Sequence, residues 1–79
     1  MKVIDLLKVI APDSNHNVIL ESLSTFEKGS GGIWEGNADE FVFNYQRLGF
    51  YKTIAESVVL SLDNEKHNDD YFLHIVYED

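Results

Sequence analysis

The chain has 79 residues, 44% of them hydrophobic, no cysteine and a formal net charge of −8. That length fits one domain with a small core, and the missing thiols exclude disulfides, thiolate metal sites and cysteine nucleophiles. The acids, 14 against six bases, exclude the basic footprint that DNA, RNA or an anionic membrane requires.

Residues 2–11 place Val3, Leu6, Leu7 and Ile10 at helical spacing, with Ile4 and Val9 widening the stripe. Asp5 and Lys8 break the apolar run and no small-residue cleavage site follows, so this segment reads as part of the fold and not as a signal peptide. No stretch approaches the roughly 20 apolar residues of a membrane span, which together with the lack of cysteine suggests a cytoplasmic protein. Pro12 ends the helix, because the residue before a proline is pushed out of helical geometry, and Asp13, Ser14 and Asn15 make a turn.

Residues 17–25, NVILESLST, read as a strand, EKGSGG as a turn, and Ile33 to Glu35 as a short returning strand. Asn37 then predicts a helix start, with Glu40 three residues later placed to reach back to the cap. Ala38, Phe41, Val42, Tyr45 and Leu48 line one helical face, and Gly49 is placed to end it in a left-handed conformation. Residues 54–62, IAESVVLSL, predict a third strand; DNEKHNDD at 63–70 a polar connection; and YFLHIVY at 71–77 a fourth strand. The expected fold is α+β and two-layered, in the order α-β-β-α-β-β, one domain over 1–79. Two helices cover one face of a four-stranded, mainly antiparallel sheet.

Period-two alternation assigns Val18, Leu20, Val58, Leu60, Leu62, Leu73 and Ile75 to the helix-covered face. The open face then carries Ile19, Leu23, Val59, Phe72 and Val76 beside Glu21, Ser57, Ser61 and His74. Such an apolar face is the kind of patch that partners cover. Ile19, Leu23, Val59, Phe72, His74 and Val76, with Trp34 on a short edge strand, are therefore the candidate protein-interface residues, for a homodimer or another protein.

The remaining chemistry is thin. Asp63, Glu65, His67, Asp69 and Asp70 offer oxygen and nitrogen ligands, but Asn68 stands where an EF-hand needs glycine and His74 where it needs a bidentate glutamate. His16, His67 and His74 lack cysteine partners and H-x₃-H spacing. The glycines at 29, 31 and 32 lack the lysine and hydroxyl of a phosphate loop, and no G-x-S-x-G elbow is present. No catalytic residue, cofactor or metal is expected.

The whole pattern resembles the small acidic proteins encoded in prophages and mobile elements of Gram-positive bacteria. The features that carry the resemblance are the opening K-V-I-D-L-L helix, the hairpin leading into G-N-A-D-E, and the closing V-Y-E-D. Some proteins of that kind, anti-CRISPR proteins among them, block host nucleases by imitating DNA. The resemblance implies a non-enzymatic interaction protein and transfers no site residues. Two expectations follow. The first is a protein-interaction module that self-associates through the open sheet face. The alternative is an acidic DNA mimic inhibiting a host enzyme. A small ligand-binding protein or enzyme is a third class.

Overall fold

The computed structural model describes residues 1–10, 17–29, 32–67 and 70–79. Helix α1 spans Val3–Ile10 and buries Val3, Ile4 and Leu7, the stripe its spacing predicts. Pro12 and the turn at 13–15 lie outside the described residues. Strand β1, Asn17–Ser22, is shorter than expected, because Ser22 becomes the N-cap of a helix α2, Leu23–Lys28. The Ser22 side chain accepts a hydrogen bond from the Thr25 backbone N–H, and Gly29 closes the helix with a left-handed φ of 69°. A serine three residues before Thr25 and a glycine just past Lys28 are ordinary helix boundaries. The expected strand over 17–25 runs past the first of them.

Strand β2 is Trp34–Asn37 and α3 is Ala38–Asn44. Asn37 sits at the N-cap in extended geometry but makes no side-chain cap bond, so the predicted capping box is not formed. Gly49 does not terminate this helix; it opens another, α4, Gly49–Glu56. The segment 54–56, expected in a strand, is therefore helical, and Ile54 and Ala55 are buried. Tyr51, Ile54 and Ala55 recur at helical spacing, and their packing against the core overrides the weak helix propensity of Thr53 and Ile54. Strand β3 runs Val59–His67 and β4 Asp70–Tyr77, so most of the predicted polar connection is strand.

The fold is α+β, with four helices and one four-stranded sheet in the order β2-β1-β4-β3 among the described residues. β1 pairs antiparallel with β2, and β3 antiparallel with β4, as adjacency in the chain predicts. The two central strands, β1 and β4, pair parallel. The sheet is therefore mixed and not mainly antiparallel. The helices are not confined to one face either: α1, α3 and α4 contribute to the main core, whereas α2 packs on β1 and β4 from the other side, where Phe26 meets His74.

The main core joins Val3, Ile4 and Leu7 to Val18, Leu20, Ile75 and Tyr77 of the sheet and to Ala38, Phe41, Ile54 and Ala55. Phe41 is its aromatic centre, T-shaped to Trp34 at 5.3 Å and stacked on Tyr51 at 5.4 Å and Tyr45 at 6.3 Å. In β3 the alternation changes phase. Val59 lies opposite Tyr77, but Ser61 already lies opposite Val76, so a bulge falls between them. An extra residue in one strand exchanges the faces of everything beyond it.

Candidate interaction surface

The second sheet face gathers Ile19, Glu21, Phe72, His74 and Val76, which alternate with core residues on β1 and β4. To this extent the predicted face exists. It is far less open than the alternation implies. Val76 is 4% exposed and lies outside the main core, on the side that α2 covers. Ile19 and Phe72 are half-buried. Gly32 lies so near Ile19 that a Cβ there would stand 2.7 Å from the Ile19 Cγ2. Leu23, the first residue of α2, is half-buried.

Two further candidates sit on the opposite side. Val59 faces the core across from Tyr77 and packs against it, because it precedes the bulge. Trp34 pairs with Leu20, shares its face, and lies against Phe41. Neither belongs to the second sheet face.

His74 is held at both ring nitrogens. Nε2 is 2.6 Å from Glu21 Oε1 and Nδ1 is 3.0 Å from Glu65 Oε1, linking β1, β4 and β3. Glu21 is buried, and the Phe26 ring stands edge-on to the imidazole at 6.0 Å. An ionised carboxylate can only accept hydrogen bonds, so each gap needs its own proton. A histidine acting as general base must leave one nitrogen free to face a substrate. Here both are engaged, and the trio reads as a polar clasp between strands.

Residues that the alternation sent inward stand outside. Val58, Leu60 and Leu62 are 44%, 47% and 48% exposed. Leu62 is the direct cross-strand partner of Ile75 and shares its face, yet Ile75 is fully buried. Beyond Val59, which packs on the core, Leu60 and Leu62 of β3 stand clear of it. β3 is also an edge of the four-stranded sheet. Among the described residues its start is covered: Lys2 bridges Val58, and the Met1 carbonyl accepts from the Val59 N–H at 2.8 Å. The bulge that decides this arrangement has no local marker in VVLSL, so residue patterning could not locate it.

Asp63 and Glu65, expected in a polar connection, are strand residues of β3, and Asp69 lies outside the described residues. Among the described residues no three or more acidic or imidazole side chains form a metal-binding group. No described helix is long and apolar enough to cross a membrane.

A cleft of about 370 Å³ opens where β2, α3 and α4 meet, lined by Trp34, Glu40, Asn44, Arg47, Leu48 and Tyr51. A second hollow of similar volume runs along another side of α4, walled by Ile33, Phe50, Ile54 and Tyr77 and edged by Ser22 and Asp79. Asp79 anchors α2: its carboxylate accepts from the Ser24 hydroxyl and from the Ser24 N–H at 3.4 Å. Those donors hold the Asp79 carboxyl below its usual range. Burial, seconded by the Asp79 charge, pushes the Tyr77 phenol up.

No family model matches the chain, and no curated protein or solved structure is significantly similar to it.

Proposed function

We propose that the chain is a non-catalytic, cytoplasmic protein-binding module that docks its partner along the free edge of β3. The observation that carries this is the contrast between Leu62 and Ile75, paired on one face of the sheet, one half exposed and the other buried. An edge strand offers unpaired backbone donors and acceptors, and an incoming extended segment can satisfy them. Leu60 and Leu62 supply apolar contacts beside that ladder. Fully burying a leucine contributes about 1.5–3 kcal/mol, so these half-exposed side chains add about 1 kcal/mol each. That falls short of the roughly 4–15 kcal/mol cost of association, so main-chain pairing must supply the rest and binding will be weak and reversible.

Charge selects the partner. A second copy would bring another −8 against Asp63 and Glu65 on the same strand, whereas a basic segment would be attracted. Acids occur on each of the eight elements, so they surround the fold and do not form a single stripe. That distribution favours a protein-binding module over imitation of a polyanion.

Sedimentation at several protein concentrations and a titration with a synthetic peptide of alternating lysine and valine test the reading. The expected result is a monomer whose β3 amide resonances shift with the peptide, with binding lost in Leu60→Lys and the fold retained. A dimer that strengthens as salt screens the charge would replace the basic partner with a second copy. Shifts confined to another element would remove β3 from the site.

A further inference from the structure

The cleft between β2, α3 and α4 is built from groups that share one preference. Trp34 and Tyr51 meet at 76° with ring centroids 6.4 Å apart, forming an aromatic corner. The Glu40 carboxylate lines the same cleft. It does not cap α3, and it forms no ion pair among the described residues, although its side chain is exposed and charged. The position of Gly36 shows how closely these parts are fitted. A Cβ there would stand 2.9 Å from two atoms of the Trp34 ring and 3.2 Å from Glu40 Oε2. Only a glycine lets the indole and the carboxylate lie side by side over the strand.

Of the other polar groups Asn44 agrees, while Arg47 lines the cleft with a positive charge that Phe43 partly engages. Asn44 spends its amide nitrogen on the Glu40 carbonyl at 2.9 Å, leaving its oxygen as an acceptor. The Arg47 guanidinium is drawn aside onto the Phe43 ring, 5.1 Å from its centroid. Beside Arg47, the cleft thus offers aromatic π-density, a carboxylate and an amide oxygen, which together suit a cation with an apolar skirt. A strongly hydrated inorganic cation gains less from the aromatic walls, because it must shed water to reach them. An anion would meet Glu40.

We propose that this cleft binds alkylammonium groups, with Trp34 and Tyr51 as the aromatic walls and Glu40 as the counter-charge. The chemistry is shared by a lysine side chain presented by a polypeptide and by a free quaternary amine. The site stands apart from the β3 edge, so either assignment can fail without the other.

Trp34 is the only tryptophan, so its fluorescence reports on the site alone. The chain is titrated with tetramethylammonium chloride and with Nα-acetyl-lysine amide, against sodium chloride at matched ionic strength and sodium acetate. A saturable change is expected with an organic cation and not with either sodium salt. Saturation by the lysine amide alone assigns the site to peptide lysine, and by tetramethylammonium alone to quaternary amines; each supports the proposal. Glu40→Gln leaves every described side-chain bond of the fold intact and should weaken binding roughly threefold to fivefold. Arg47→Gln removes a like charge and should tighten it about twofold. A saturable response to acetate, no response to either cation, or unchanged affinity in Glu40→Gln would overturn the proposal.

Discussion

The two faces of the sheet are built on different principles. One is dry: aliphatic residues of β1 and β4 meet α1, α3 and α4 around Phe41, and among the described residues no buried charged side chain lies there. The other carries the Glu21–His74–Glu65 clasp under a single six-residue helix. Hydrophobic packing tolerates exchange so long as volume is kept, whereas a part-buried hydrogen-bonded trio stands or falls with each partner. The dry face should therefore set how stable the protein is. The polar face should set which strands sit together, since its bonds tie the parallel β1–β4 pair to β3.

The largest effect tests the dry face. Phe41→Ala should cost about 3–5 kcal/mol, much of the stability of a domain this size, and leave the chain largely unfolded by circular dichroism. Next comes the clasp. His74→Leu leaves the Glu21 carboxylate buried without its partner and should cost about 3 kcal/mol in urea titration. The double variant Glu21→Leu, His74→Leu should recover part of that loss. If the double change is as damaging as the sum of the singles, the trio is not a coupled unit and the contrast between the faces fails.

Smaller effects sharpen the contrast at α2. Ser22→Ala removes the N-cap and should cost about 1 kcal/mol. The Tyr77 phenol, raised by burial, binds its proton more tightly folded than unfolded. Stability should therefore be level below about pH 10 and fall above it as tyrosinate absorbance appears. The Asp79 carboxyl, depressed by the Ser24 donors, acts in the opposite sense. Its contribution is complete above about pH 3.9 and is lost as the pH falls below that, so Ser24→Ala should flatten the acid limb of the stability curve. At the foot of the scale, Leu60→Lys on the exposed edge should leave the melting temperature unchanged.

Elements whose signals are local were legible in the residues. The stripe of α1, the β-branched run of β1, the Asn37 helix start and the aromatic strand at the end are all present. α4 was hidden because Thr53, Ile54, Val58 and Val59 favour extended chain on their own; only the core contacts of Tyr51, Ile54 and Ala55 make that segment helical. The second sheet face was partly legible, since Ile19, Phe72, His74 and Val76 do share it. Val59 lies on the core side and not on the expected open face, because of the bulge, whereas Trp34 sits on an edge strand as expected and faces the core through its pairing with Leu20.

By itself, then, the order of residues determined an acidic α+β chain of one small core, because hydrophobic spacing and turn chemistry act over a few residues. It also settled the antiparallel partners, β1 with β2 and β3 with β4, which are neighbours in the chain. Tertiary structure alone decided that β1 and β4 run parallel at the centre, that Leu62 stands clear of the core, and that Trp34, Tyr51 and Glu40 enclose one cleft. Those outcomes depend on contacts between residues tens of positions apart, and on one bulge that reverses the faces of a strand without leaving a mark in its sequence.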